Sequence, residues 1–298
     1  MNNYPKISVV TPSYNQGQFI EDTILSVLGQ NYPNLEYIIM DGNSTDNTVE
    51  IIKKYSGQLF YWVSEPDSGQ AEAINKGFEK STGDILLWLN SDDMLMPNVL
   101  SYIAECVSRQ GDGIYFGNAV HYQEADAGVT TRGSNVVGVC KQYTLEELDF
   151  VTQPSSFWTR NVWNQIGKLT ENSHFVFDWE WFLRAKHAQI NFYPLAKPIS
   201  LYRIHETHKT GVGGEKRQQE IANLYKQYNK RLFLLYELIL QEPDLKKSLP
   251  NKILLFMQSI YCKIKRIEPT YGFQLKLVKP IKYKEYSARD IDIVNVMR

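Results

Sequence analysis

The stretch KISVVTPSYNQGQFIEDTILSVLGQNYPNLEYIIMD, residues 6–41, decides the fold. It opens on a short run rich in β-branched residues (6–11, KISVVT) and closes on another (35–41, LEYIIMD). Between them Phe19, Ile20, Thr23, Ile24, Val27 and Leu28 recur at spacings of three and four. The runs read as buried strands and the spacing as an amphipathic helix. Working outward, residues 60–64 (FYWVS) and 84–89 (DILLWL) are further strands. Val49, Ile51 and Ile52, then Ala71, Ala73, Ile74 and Phe78, mark the helices between them. Ser44 or Thr45 is expected to cap the second helix, with Asp46 in its first turn. Strict alternation of this kind predicts an α/β protein, a Rossmann-like and mostly parallel sheet flanked by helices.

Beyond Pro97 the pattern predicts a helix to about residue 109 and a strand over 114–118. Residues 119–150 are Gly-rich and polar and read as loop or edge structure. A strand over 155–159, a short helix near 161–166, a helix over 179–188 and a strand over 199–204 follow. From residue 215 helical periodicity dominates. The expected organisation is one domain over 1–214, with halves at about 1–118 and 119–214, and a helical extension over 215–298.

Composition narrows the class. Of 298 residues, 43% are hydrophobic and 22% charged, which excludes a disordered chain. The N-terminus lacks the apolar stretch of a secretion signal, and no window offers 18 uncharged apolar residues, so a cytoplasmic protein that does not span a membrane is expected. Cys106, Cys140 and Cys262 lie far apart without CxxC spacing and are expected to be buried thiols. The net charge of −1 hides a split: residues 1–214 carry −9 and residues 215–298 carry +8. Between Pro250 and Pro269, Ile253, Phe256, Met257, Ile260, Ile264 and Ile267 form one apolar stripe, with Lys252, Lys263 and Arg266 mostly off it. Such a helix either packs on the rest of the chain or on a second copy in a homodimer, or rests peripherally on the inner face of a membrane.

In an open parallel sheet, ligands bind outside the carboxyl ends of the strands. Here those ends carry Asp41, Asp67, Asp92 and Asp93. Carboxylates gathered on one rim repel one another unless a cation sits among them, and all-oxygen ligands suit Mg²⁺ or Mn²⁺. Such an ion keeps positions open for a diphosphate. GxGxxG after the first strand and GxxxxGK[ST] are both missing, which speaks against a dinucleotide dehydrogenase and a P-loop ATPase.

The residues that carry a resemblance are Val9-Val10-Thr11-Pro12-Ser13-Tyr14-Asn15, Asp41-Gly42-Asn43-Ser44-Thr45-Asp46, Asp67-Ser68-Gly69 through Ala73-Ile74-Asn75-Lys76-Gly77, Thr82-Gly83-Asp84, Asn90-Ser91-Asp92-Asp93 and Phe177-Asp178-Trp179-Glu180. Recurring in order over about residues 5–205, they resemble the inverting, nucleotide-sugar-dependent glycosyltransferases of family 2, which have the GT-A fold. The resemblance implies that residues 1–214 form the catalytic domain, with a nucleotide-sugar half and an acceptor half. It implies that Pro12, Ser13, Tyr14 and Asp41 hold the nucleobase and ribose, with Asp67 and Gly69 on the same donor. Asp93 would meet the metal and Asp92 lie nearer the ribose. Asp178 falls at the family's catalytic base. Two positions depart: Asn90 stands where an additional Asp is common, and Phe177 where Glu often precedes the base. His205, with Arg203, His208 and Lys209 near it, is a candidate for the metal or diphosphate, and Gln153-Pro154 resembles a dipeptide near the acceptor.

Each residue also has a plainer reading. Asp92-Asp93 alone reads as a turn cap, Asp41 and Asp67 as turn residues, and Asp178 as a helix cap. Trp179 and Trp181 read either as a wall for a sugar ring or as core. The implied reaction moves a sugar from a nucleotide-diphosphate donor to a hydroxyl of a glycan or lipid-linked acceptor, in polysaccharide or cell-surface glycan synthesis, with no nucleic-acid partner. The alternatives are a sugar nucleotidyltransferase, which would want a Gly- and Arg-rich first loop that residues 11–18 lack, and a degenerate sugar-nucleotide-binding scaffold.

Overall fold

The computed structural model describes residues 4–125, 128–206, 209, 213–242, 249–265, 270–279 and 282–298. The chain divides into two units, one of Met1–Leu145 with Asp149–Gly213, the other of Glu146–Leu148 with Gly214–Arg298. In the first, β1 (Ile7–Ser13), β2 (Leu35–Asp41), β3 (Tyr61–Ser64) and β4 (Ile85–Trp88) pair in parallel in the order β3-β2-β1-β4. The crossovers are α1 (Ile20–Leu28), α2 (Thr48–Tyr55) and α3 (Gln70–Lys80). The sheet continues through β8 (Ser156–Thr159), β6 (Ile114–Ala125), β9 (Phe192–Arg203) and β5 (Met94–Leu95), with β7 (Gly128–Gly133) on the edge of β6. β8 runs against β4 and β6, so β6 and β9 return to the direction of β1 and the sheet stays mostly parallel.

Alternation along β1 and β2 splits the core. Ile7, Val9, Tyr37 and Ile39 join Ile20, Ile24, Val27 and Ile52 on one face, together with Leu100 and Ile103 of α4 (Val99–Gln110). Ser8, Val10, Glu36 and Ile38 point to the other. There Phe78, Trp88, Trp158, Trp163 and Trp181 interlock with ring centroids 4.6–6.5 Å apart. Trp163 and Trp181 come from α6 (Arg160–Ile166) and α7 (Phe177–His187).

Glu36 is the buried charge of that second face. Its carboxylate accepts from the Ser8 hydroxyl at 2.7 Å, from the Thr82 N–H at 2.7 Å and from the Thr82 hydroxyl, and Lys6 Nζ lies 3.0 Å away. Burial works to raise its pKa, yet these donors overcome it and hold the carboxyl down at about 2. A carboxyl depressed on folding stabilises the protein above its unfolded pKa, and that stabilisation is lost as pH falls from about 4.5 through about 2. Glu36→Gln turns one acceptor into a donor facing donors. It should cost about 2–4 kcal/mol in denaturant unfolding at pH 7, and flatten the acid limb of the stability profile. An unchanged midpoint would refute this account.

Of the loop or edge structure expected over residues 119–150, the edge is present as β7, while β6 extends the strand past residue 118 to Ala125 and α5 (Val136–Val139) follows. The polar sequence HYQEA is held as strand by ladders to β9 on one side and β7 on the other, a tertiary cause that leaves no local period. The cap of α2 differs too. Its N-cap is Asn47, and Asp46 accepts the Thr48 N–H at 3.0 Å. Ser44 is drawn away to Asp41, as described below.

The second unit is helical: α8 (Gly214–Tyr228), α9 (Lys230–Leu240), α10 (Leu249–Lys265), α11 (Tyr271–Val278) and α12 (Ala288–Met297). Its core gathers Ile221, Leu232, Leu235, Tyr236, Ile291 and Val294. Glu146–Leu148 group with it because Tyr225 and Asn229 donate to the carbonyls of Glu147 and Glu146, and Arg289 pairs with Glu147 at 2.9 Å. Ser287 and Asp290 form a capping box on α12. Cys106 and Cys262 are buried, while Cys140 is half-exposed. His208, Arg266, Ile267 and Pro269 lie outside the described residues. Among the described residues no helix is long and apolar enough to cross a membrane.

Candidate active site

Strand register builds the rim. Ser13 pairs with Asp41 and Asp41 with Ser64, so the carboxyl ends of β1, β2 and β3 finish at one level. Asp41 is 2% exposed and fully engaged: Ser44 N–H donates to it at 2.9 Å, Ser44 Oγ at 2.5 Å and Ser64 Oγ at 2.6 Å. The loop after β1 is stitched to the same turn, because Asn15 N–H donates to Ser44 Oγ and Asn15 Oδ1 accepts the Thr45 N–H. Tyr14 stands exposed at the tip of that loop. Ser13 Oγ is buried with no hydrogen-bond partner among the described residues, an arrangement that ordinarily belongs to a ligand or water.

A recess opens between β2, β3 and α3, lined by Met40, Asp41, Val63, Glu65, Asp67, Ala73 and Lys76. Gly42 lets the Asp67 carboxylate close on it, for a Cβ there would stand 2.8 Å from Asp67 Oδ2. Gly69, at φ +133°, turns its N–H onto Asp67 Oδ1 at 2.8 Å just before α3, a conformation that favours glycine. Burial pushes the Asp67 carboxyl up, with Glu72 and Asp41 adding to the effect. Glu65 and Lys76 were not singled out as site residues by sequence reasoning. Lys76 falls inside a recurring block, and its pairing with Glu72 at 2.7 Å one turn earlier keeps it on the recess side of α3.

After β4 the chain delivers Asn90, Asp92 and Asp93. Asp93 is 1% exposed; it accepts from the Arg203 N–H at 3.2 Å and from Asn90 Nδ2 at 3.3 Å. Burial foremost, and then the charge of Asp92, raise its carboxyl well above the usual range. Asp92 stays partly exposed and lies 3.1 Å from His205 Nε2. His205 packs against the Phe19 ring at 4.6 Å. The Arg203 guanidinium is buried between Phe19 and Tyr122, where it donates to Asp22 at 2.8 Å and to the Asp92 carbonyl at 3.3 Å.

Asn90 does what an Asp could not at this point. It donates to Asp93 while its Oδ1 accepts from Gln70 Nε2 at 2.7 Å, and Gln70 Oε1 accepts from Lys209 at 2.7 Å. Lys209 sits 5.0 Å over the ring of Phe177. A polar chain thus runs from the acidic turn to the start of α7. Gln70, like Lys76, falls inside a recurring block, but as one polar residue at the start of α3 it carries no local mark of its partners. Asp178 lies in the first turn of α7, half-buried, with Oδ1 accepting the Trp179 N–H at 2.8 Å. Trp179 and Trp181 are core, 1% and 0% exposed, with their indole N–H groups on the carbonyls of Leu145 and Gly167. Gln153 is buried and donates to the Trp88 carbonyl at the end of β4.

The sheet that carries these carboxylates at its carboxyl ends has the GT-A fold of the solved structures it resembles. The chain belongs to glycosyl transferase family 2, whose model matches residues 8–179. It is 43% identical over 97 residues to TuaG of Bacillus subtilis, named as a teichuronic acid biosynthesis glycosyltransferase, covering 31% of this chain and 38% of that one. It is 25% identical over 221 residues to the GalNAc(5)-diNAcBac-PP-undecaprenol beta-1,3-glucosyltransferase of Campylobacter jejuni, covering 71% and 69%. The matches to TuaG and several other curated relatives span about two fifths of those proteins' length. Its fold is similar to the mannosyltransferase PcManGT of Pyrobaculum calidifontis in complex with GDP-Man and Mn²⁺, with a TM-score of 0.61, 15% identity and coverage of 99% and 87%. Membership of this family supports the glycosyltransferase reading over the nucleotidyltransferase one.

Proposed function

We propose that this glycosyltransferase moves a sugar from a nucleotide-diphosphate donor to a hydroxyl of a glycan or lipid-linked acceptor, with inversion, in polysaccharide or cell-surface glycan synthesis. The observation that carries the reading is the meeting of Asp92 and His205 at 3.1 Å, residues 113 apart in the chain. The names of the two curated relatives, one for a cell-wall polymer and one for an undecaprenol-linked glycan, agree with this acceptor class.

Asp41 and Asp67, which line the recess, take the nucleobase and ribose together with Pro12, Ser13 and Tyr14 at the end of β1 and Gly69 at the start of α3, and the orphaned Ser13 hydroxyl is a candidate donor to them. Mn²⁺ or Mg²⁺ fits the residues present. A carboxylate and an imidazole leave most positions open for diphosphate and water, and a cation would offset the charge of Asp92, which adds to the burial that foremost raises Asp93. Among the described residues no group of three His, Cys, Asp or Glu closes on one point, so the protein's share is this small set. Asp93 and His205 would hold the ion, with Asp92 nearer the ribose, and the ion when bound would offset charge on the departing diphosphate. Asp178 takes the proton of the attacking hydroxyl. A single displacement inverts the anomeric centre without a covalent sugar intermediate.

Calorimetry with UDP- and GDP-sugars, with and without Mn²⁺, tests the reading together with a nucleotide-release assay. One donor class binding at least about tenfold tighter with the metal, and releasing nucleotide when acceptor is added, is the expected result. Binding without any turnover across acceptors would favour the scaffold reading instead.

A further inference from the structure

The apolar stripe of α10 faces outward. Ile253, Phe256, Met257, Ile260 and Tyr261 are each between 46% and 67% exposed, while Gln258 and Cys262 on the opposite side are buried. This reverses the usual order of a surface helix, for the polar amide is turned inward and has no hydrogen-bond partner among the described residues. At 3.6 residues per turn the five exposed apolar residues span an arc of about 140°. Lys252 and Lys263, both exposed, fall within about 40° of its Phe256 border. Residues 246–267 hold six basic residues and no acidic one, within an extension of net charge +8.

We propose that α10 is an in-plane lipid-binding helix, whose outward face enters the headgroup boundary of an anionic bilayer with Lys252 and Lys263 at the phosphates. Breadth and charge together select this occupant. A continuous apolar arc bordered by lysines matches a surface that is apolar beneath a negative layer. A second copy of the chain would bring the same basic border against itself, in an extension already far from neutrality. The attachment is peripheral, and it holds the protein on the membrane whatever sugar it transfers.

Vesicle co-sedimentation of the full chain tests this without donor or acceptor, so the outcome is independent of the catalytic reading. Vesicles of phosphatidylcholine alone are compared with vesicles containing phosphatidylglycerol, in low and high salt. Partitioning at least about tenfold stronger onto the anionic vesicles, and falling by a similar factor in high salt, is expected. Phe256→Ser with Ile260→Ser should lower binding about tenfold or more with unchanged circular dichroism, since both side chains are exposed. Lys252→Glu with Lys263→Glu should erase the preference for anionic vesicles. No binding to either vesicle would overturn the proposal in favour of packing within the chain. A serine variant that binds like the parent would overturn it too, as would one that binds like the parent but turns a dimer into a monomer.

Discussion

Asp93→Ala should remove measurable sugar transfer, and excess EDTA should do the same to the parent protein. Asp93 is 1% exposed and carries a carboxyl raised by burial and by its neighbour Asp92, a condition a bound cation relieves. Losing charge stabilisation on the leaving diphosphate is worth several kcal/mol, a factor of about 10³ or more in rate. The Ala variant also leaves the Arg203 N–H and the Asn90 amide without their acceptor, at about 1–3 kcal/mol, so a lower melting temperature accompanies the loss. Asp93→Asn separates the two effects. It keeps an acceptor for the Arg203 N–H and sheds the buried charge but turns the second oxygen into a donor facing the Asn90 amide, so it should melt nearer the parent than the Ala variant does and still be inactive. Nucleotide release with and without EDTA, beside thermal melts, reads both. Full activity in excess EDTA would sink the metal assignment.

Asp178→Asn should lower turnover by about 10²–10⁴ with donor affinity nearly unchanged. The side chain sits in the first turn of α7, and its Oδ1 accepts the Trp179 N–H, a bond that Asn can reproduce. Trp179 and Trp181 pin the helix through indole bonds to Leu145 and Gly167, so the exchange leaves the backbone in place. What it removes is the ability to accept a proton from the acceptor hydroxyl. Turnover numbers against donor KM, for parent and variant, check this. A turnover number equal to the parent's would take Asp178 out of the mechanism.

The structural background of these two residues separates what is local from what is not. Residues 6–41 announce a βαβ unit because alternation and the three-and-four spacing are written within a few residues of each other, and β1, α1 and β2 form there. Asp41 and Asp67 fall at the ends of their strands for the same reason, since a strand's end is marked by the turn residues that follow it. The family blocks extend that legibility to Asp92-Asp93 and Asp178.

Long-range pairing lies beyond such signals. β6 takes twelve residues, several of them polar, because β9 supplies a ladder from about 80 residues away and β7 one from close by. Asp92 meets His205, and Asn90 is tied through Gln70 to Lys209, only once β5 has paired with β9. Periodicity likewise says that α10 has an apolar stripe but not which way it turns. The sequence by itself determined the alternating elements, the acidic strand ends and the stripe, because these rest on contacts between near neighbours in the chain. Only the tertiary structure decided that Asp93 is buried and Asp92 open, that Trp179 and Trp181 are core, and that the stripe faces out. Burial is settled by the summed packing of residues that are distant in sequence.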